Sequence, residues 1–281
     1  MKFLRSLSVI VIIDACCALV AGGRTTQTFP GVAYYSETRQ DPPLRLFVAE
    51  VDLTCPRVHV RAAPGGPDPD GPGHWQTTLM RPTAIADREK FDLVVNGDFF
   101  AANKTKNAEG SNATFFSATW ATVSGPSVTD GRAWAASTNR RPCLVVHKDK
   151  HVSIELLSSA KPDDWEVIAG NVVLVKNGAA VPGKTKARHP RTAVGLDASG
   201  RKLIILVADG RRPGVSIGLS NDETAAEMLR LGCYQAINLD GGGSTVMAVR
   251  DAASGQMKIL NTPSDGHERA VANALGVTVD P

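Results

Sequence analysis

A chain of 281 residues with 43% hydrophobic and 21% charged side chains has enough apolar material for a sizeable core, which excludes a disordered tail and a disulfide-stapled miniprotein. Thirty-one Lys and Arg against 28 Asp and Glu leave a net charge of +3 with no basic block, so nothing marks a nucleic-acid surface. Twenty-six Gly and 17 Pro against 5% aromatic residues describe many short elements joined by turns and exclude a helical bundle.

Lys2 and Arg5, the apolar run at 7–13, and the small residues Ala15, Ala18, Ala21, Gly22 and Gly23 follow the order of a secretory signal. The run is too short to span a bilayer, which takes about 20 residues, and Asp14 interrupts it. The expectation is a signal peptide over 1–23 and one domain over 24–281, secreted or periplasmic and without a transmembrane anchor. Ile13-Asp14-Ala15-Cys16 resembles a lipoprotein box with an acidic residue before the alanine, which makes lipid anchoring the alternative. Cleavage leaves Cys55, Cys143 and Cys233; the first two are the candidates for a pair and Cys233 reads as a core residue, the alternative being three buried thiols. No Cys/His spacing suggests structural zinc, and no cofactor is expected.

Residues 31–63 alternate apolar and polar positions as strands do, and the Pro-, Gly- and Asp-rich stretch 64–73 reads as a loop. A short helix near 82–90 feeds an apolar strand at 91–95, followed by a long excursion over 101–125 without a clear pattern. Hairpins are expected over 144–157, 172–181 around Asn177-Gly178, and 192–208 around Asp197 to Gly200. His147 and His151 flank the first of these turns and are expected to be solvated. Ser220 and Glu223 form a capping box for a helix that Gly232 stops, a strand at 236–239 follows, and 274–279 is the last strand. The sum is an α+β fold: one β-rich domain with mixed sheets and a few flanking helices.

Asn238-Leu239-Asp240-Gly241-Gly242-Gly243-Ser244 is the strongest local signal, because a buried strand ends there in a carboxylate and three glycines. The glycines let backbone approach a ligand, and their N–H groups suit a nest for phosphate or sugar oxygens. The alternative is a sharp turn that holds nothing. Asp209 and Asp98 also follow apolar strands, so three carboxylates converge if those strand ends share one sheet edge; singly, an Asp after a strand is more often a turn former. Paired carboxylates serve glycoside hydrolysis, one at the leaving group and one at the anomeric carbon or its water. Arg191 and Arg269 suit forked recognition of phosphate, although a lone arginine is usually a solvated surface group. Gly214-Val215-Ser216-Ile217-Gly218 matches a nucleophile elbow in letters only, since no strand-to-helix corner is expected there.

Residues 96–100 (Asn-Gly-Asp-Phe-Phe), 191–195 (Arg-Thr-Ala-Val-Gly), 208–210 (Ala-Asp-Gly), 238–244 and 263–271 (Pro-Ser-Asp-Gly-His-Glu-Arg-Ala-Val) together resemble the phosphodiester glycosidase family in order and spacing. The resemblance covers about residue 32 to 279. It implies cleavage between a sugar anomeric carbon and a phosphate oxygen, with a carbohydrate or sugar-phosphodiester as partner. It implies Asn96, Arg191, Asp209, Asn238 and Asp240 as active-site residues, with Glu268 and Arg269 beside them. The roles expected are Asp240 and Asp209 as the acid/base or nucleophile pair, and Arg191 on the phosphate supported by the amides of Gly241, Gly242 and Gly243. Asn96, Asp98, Asn238, Ser244, Glu268 and Arg269 are then substrate contacts. Asp98 stands where relatives often have Gly, and 101–136 follows no family pattern. Three rivals remain: a glycosidase for neutral glycans, a glycan-binding protein without turnover, and a metal-dependent phosphodiesterase using Asp98, Asp209 and Asp240 as ligands.

Overall fold

The apolar run at 203–208 forms the strand Lys202–Ala208, and period two divides its side chains between two cores. Leu203, Ile205 and Val207 enter one core, Ile204, Leu206 and Ala208 the other. A strand buried on both faces has no solvent side to encode, which is why its sequence is continuously apolar. It lies inside an eight-stranded sheet whose spatial order is Gln27–Phe29, Val32–Gln40, Pro43–Asp52, Lys202–Ala208, Arg191–Leu196, Gln235–Asn238, Val172–Lys176 and Ala179–Ala180. The structure is a computed structural model that describes residues 26–103 and 115–281. The signal peptide expected over 1–23 lies outside the described residues.

The inner face of this sheet packs on a second sheet, ordered Met257–Ile259, Met247–Arg250, Leu93–Asn96, Asn273–Val279 and Val58–Pro64. Val95, Met247, Leu275 and Val60 meet Val194, Ile205 and Ile237 in the shared core. A third sheet, Arg132–Ala135, Ser127–Thr129, Asp164–Ala169, Arg141–His147 and Val152–Leu157, closes that core with Leu144, Val152 and Ile168. A small fourth sheet pairs Thr77–Thr78, Trp120–Val123 and Phe100–Ala102. Helix α1 (Pro82–Glu89) covers the outer face of the second sheet through Ile85 and Ala86, packed with Phe91, Val94 and Ala274. Helix α2 (Asn221–Arg230) covers the outer face of the first through Ala225 and Met228, packed with Leu46, Leu206 and Ala236. The result is a helix–sheet–sheet–helix stack.

The capping box is realised: Ser220 Oγ accepts from Glu223 N at 3.2 Å, and Glu223 Oε2 accepts from Ser220 N at 2.8 Å. The three expected hairpins form as read. His151 is exposed at its turn, whereas His147 is half-buried, with Nε2 at 2.9 Å from Ser153 Oγ. Two expectations change. Every strand pair among the described residues is antiparallel, so the sheets are not mixed. The reason is that α2 links two strands running the same way, Lys202–Ala208 and Gln235–Asn238, but the hairpin partner Arg191–Leu196 lies between them. Cys55, Cys143 and Cys233 are free thiols. Cys143 is locked among Val128, Val145 and Val167 in a separate cluster, away from the core against which Cys55 packs. Among the described residues no helix is long and apolar enough to cross a membrane.

Candidate active site

Strand direction decides which chain segments share an edge. The start of Arg191–Leu196 lies beside the ends of Lys202–Ala208 and Gln235–Asn238, because Arg191 pairs with Ala208 and Ala193 with Asn238. The second sheet brings the end of Leu93–Asn96 to the same edge, where Asp240 N donates to Gly97 O at 2.9 Å. Gly97 is needed there, since a Cβ would fall 2.3 Å from Asn273 Oδ1 and 2.6 Å from Ile168 Cδ1. Asn96 bolts the two sheets together: Nδ2 donates to Asp240 O at 2.7 Å, and Oδ1 accepts from Thr192 Oγ1 at 2.7 Å and Val246 N at 3.2 Å. Expected at the substrate, this fully buried amide instead holds the backbone of Asp240.

The carboxyl brought into electrostatic contact with Asp240 is that of Asp98. Asp98 is 1% exposed; its N donates to Asn273 Oδ1 at 2.8 Å and its Oδ2 accepts from Gly125 N at 2.7 Å, while Oδ1 has no partner. Burial pushes it up to about 8, against the pull of those amides, and the Asp240 charge adds to the push. Asp240 is only partly covered at residue level, and burial of its carboxyl raises it to about 6. Ser244 Oγ, Gly241 N at 2.8 Å from Oδ1, and the Arg269 charge hold it down. Ser244 does this without hydrogen-bond geometry, its Oγ being buried and unpartnered. At neutral pH one carboxyl of the pair is therefore protonated and the other ionised, the division of labour that acid/base sites use.

Asp209 takes a different part. One strand separates it from Asp240, which sets the two backbones about 10 Å apart. Its Oδ1 accepts from Thr262 N at 2.9 Å and Asn261 Nδ2 at 3.1 Å, and its carbonyl accepts from Ser216 Oγ at 2.7 Å. Burial raises its pKa, and the nearby charges acting on it are Arg45 and Arg212. Ser216, the elbow look-alike, is fully buried in this knot.

Period two also settles Arg191. Thr192 faces inward to Asn96, so Arg191 turns outward with Ala193; its Nε donates to Leu219 O at 2.9 Å and its Nη2 to Ala187 O at 3.3 Å. Glu268, expected beside the substrate, is engaged by the start of α1. It accepts from Thr83 N at 3.2 Å and from Thr83 Oγ1, capping α1, whose own N-cap residue Arg81 offers no side-chain bond. The amides of Gly241 and Gly242 are engaged by Asp240 Oδ1 and Pro190 O, so the three-amide nest does not form; Gly242–Ser244 makes a 3₁₀ turn instead. The glycines serve close approach: a Cβ on Gly243 would fall 2.0 Å from Arg269 Nη2, and one on Gly242 2.9 Å from Arg211 Nη2.

Arg269 is gripped by Asp265 (Nη2 to Oδ2, 2.7 Å) and lies 4.2 Å from the centroid of Phe115. Asn238 is buried, bonded through Nδ2 to Asn171 Oδ1 at 3.0 Å and to Leu239 O, with Oδ1 unpartnered. Asp98 Oδ1, Asp209 Oδ2, Asn238 Oδ1, Ser244 Oγ, Thr245 Oγ1 and Asn273 Nδ2 are all buried, unpartnered and on this edge, so polar atoms await partners there more than anywhere else described. Among the described residues no three His, Cys, Asp or Glu side chains stand close enough to share an ion, so the three aspartates do not form the ligand set of the metal reading. Sequence reasoning passed over Thr192, Asn261, Asn273 and Arg211; only the asparagines flanking strands offered a signal.

Fold and site define a layered antiparallel β protein with a coupled carboxyl pair at the strand ends. Residues 89–278 match the phosphodiester glycosidase family, and the chain belongs to it. The catalytic domain of zebrafish N-acetylglucosamine-1-phosphodiester alpha-N-acetylglucosaminidase, auto-inhibited by its pro-peptide, superposes with a TM-score of 0.65 at 21% identity, over 92% of this chain and 88% of that one. A putative exported protein from Burkholderia pseudomallei gives 0.62 at 17% identity, over 85% and 74%. In sequence, the SPbeta prophage-derived uncharacterized protein YomE of Bacillus subtilis is 38% identical over 91 residues, which is 32% of this chain but only 13% of that protein.

Proposed function

We propose that the chain hydrolyses the bond between a sugar anomeric carbon and a phosphodiester oxygen. Water adds to the anomeric carbon, the C–O bond breaks with its electron pair going to the phosphate oxygen, and free sugar and a phosphomonoester leave. The observation that carries the reading is the coupled pair Asp98 and Asp240, pushed to about 8 and about 6 on a shared strand edge. The Asp240 carboxylate acts at the anomeric carbon, directly or through the water it deprotonates. Asp98 keeps its proton at neutral pH and donates a hydrogen bond from Oδ1. A phosphomonoester departs as a stable anion, so it needs no full proton from Asp98. Asn96 and Asp209 are positioning residues.

Family membership supports a hydrolase acting on phosphodiester-linked sugars. The name of the zebrafish relative makes α-linked N-acetylglucosamine the first sugar to try, with envelope or exopolysaccharide glycosides next. The signal-like order of residues 1–23 and the exported neighbour support action outside the cytoplasm. The test is product analysis with UDP-N-acetylglucosamine and simple sugar-1-phosphodiesters. Free sugar plus phosphomonoester from the wild type, absent with Asp240→Asn, is the expected result. Binding of glycans without any product sinks the reading in favour of a binding protein.

A further inference from the structure

Arg211 stands out on three separate grounds. It adopts φ +59°, a left-handed backbone that is strained for a non-glycine residue. Lys90 with the same sign caps α1, Asp130, Lys150 and Asn177 turn hairpins, and Ala118 lies in an exposed turn; Arg211 neither caps a helix nor turns a hairpin. Its guanidinium lies over the catalytic turn, with Nη2, Cζ and Nη1 at 2.9, 3.3 and 3.3 Å from where a Cβ of Gly242 would stand. Finally, the arginine on the neighbouring glycine, Arg269, is neutralised by Asp265, whereas no carboxylate is found on Arg211 among the described residues.

The surroundings add positive charge, and among the described residues the acids of this edge, Asp209 and Asp240, make no ion pair with Arg211. Arg191 is 7% exposed and bonded only to the carbonyls of Leu219 and Ala187. Burial lowers the pKa of His189, and the charges of Arg191 and Arg211 nearby lower it further. Asp209 holds the segment in place from its other side, through its carbonyl to Ser216 Oγ and its carboxylate to Asn261 and Thr262, while Arg212 N donates to Ser216 O at 3.0 Å. A strained, anchored segment that lays a guanidinium without a carboxylate partner over the glycine turn following Asp240 is arranged for an anion.

We propose that Arg211 is the anion hook of this site, taking the non-bridging oxygens of the substrate phosphate and so setting the preference for a charged over a neutral leaving group. The proposal deepens the phosphodiester glycosidase reading and rests on it for the identity of the anion. It divides the turn: Arg269 faces Asp240 and the sugar side, Arg211 faces the leaving group. Arg191, expected from sequence to hold the phosphate, is the buried cation behind it.

The experiment measures inorganic phosphate binding by calorimetry and, separately, kcat/KM on a sugar phosphodiester and on the nitrophenyl glycoside of the same sugar. Arg211→Met is expected to weaken phosphate binding about 30-fold and to lower kcat/KM on the phosphodiester about 100-fold, while the neutral glycoside changes less than about 3-fold. Arg211→Gly, which accepts positive φ without strain, should match Arg211→Met in function and keep or raise the melting temperature, separating the guanidinium from the fold. Arg211→Lys should recover part of the phosphate binding as a point charge. Unchanged phosphate binding in Arg211→Gly, equal losses on both substrates, or a wild type that binds no phosphate overturns the proposal. A wild type that cleaves neither substrate yet loses phosphate binding with Arg211→Gly overturns the glycosidase reading and leaves the hook standing.

Discussion

Asp209 and Asp240 carry the same local signature, an aspartate that ends an apolar strand and precedes glycine, and they sit two strands apart on one sheet edge. Their surroundings differ. Asp209 is 1% exposed and tied by Asn261, Thr262 and Ser216, with Arg45 and Arg212 supplying opposite charge. Asp240 is partly open, holds one backbone amide, and faces a second carboxyl, Asp98, across the seam between the sheets. One signature therefore yields a knot in one place and a titrating group in the other, and the neighbours contributed by distant segments make the difference.

Substitutions at the two positions should separate these roles. The largest effect is expected from Asp240→Asn: kcat/KM on a sugar phosphodiester falls at least about 10³-fold, with a melting temperature unchanged or raised because the amide carries no charge to desolvate. Asp209→Ala should invert the pattern, costing about 2–4 kcal/mol in urea unfolding as Asn261 and Thr262 lose their acceptor, while activity drops far less than with Asp240→Asn. If Asp209→Ala proves as inactive as Asp240→Asn at full stability, Asp209 belongs to the reacting pair and the comparison fails.

The next effect sharpens the Asp98–Asp240 side. Activity should follow a bell in pH, with limbs near the pair's values of about 6 and about 8. Asp98→Asn keeps a donor at Oδ1's place and should retain activity near pH 7 while losing the alkaline limb. Stability carries a matching sign. A carboxyl at about 8 when folded, against an ordinary 3.8, binds its proton more tightly in the native state. Its contribution is whole below about pH 4 and is lost as pH rises toward 8. The wild-type melting temperature should therefore fall between pH 5 and 8, and Asp98→Asn should shrink that fall; an unchanged slope would remove Asp98 as its source. Glu166, buried and pushed to about 8 at the junction with Ala62 and Asp130, contributes with the same sign, as do the raised carboxyls of Asp240 and Asp209.

The smallest effect belongs to Glu268→Gln. Loss of the charged cap on α1 should cost about 1 kcal/mol with KM unchanged. A raised KM at full stability would return Glu268 to the substrate.

Much of the fold was legible where the physics is local. Ser220 and Glu223 cap α2 within one turn of chain, Asn177-Gly178 turns its hairpin, and the unbroken apolar run at 203–208 announces a strand with no solvent face. The glycine turn after Asp240 was also readable, and so was the place of Asp98, Asp209 and Asp240 after apolar strands, although the pair expected from sequence was Asp240 with Asp209. The partners of these groups were not. Arg191 points away from the Asn96 side because Thr192 claims that face, a parity that no residue type encodes. Glu268 reaches Thr83 across 185 positions, a partner that the motif at 263–271 does not name.

The sequence by itself determined that this is a β-rich member of the phosphodiester glycosidase family, with carboxylates and glycines at strand ends, since family motifs, periodicity and turn residues are properties of short segments. Only the tertiary structure decided which carboxylates share an electrostatic environment, which arginine remains without an acid, and which polar side chains are bolts. Those outcomes depend on desolvation and on contacts between residues far apart in the chain, and both exist only once the sheets have packed.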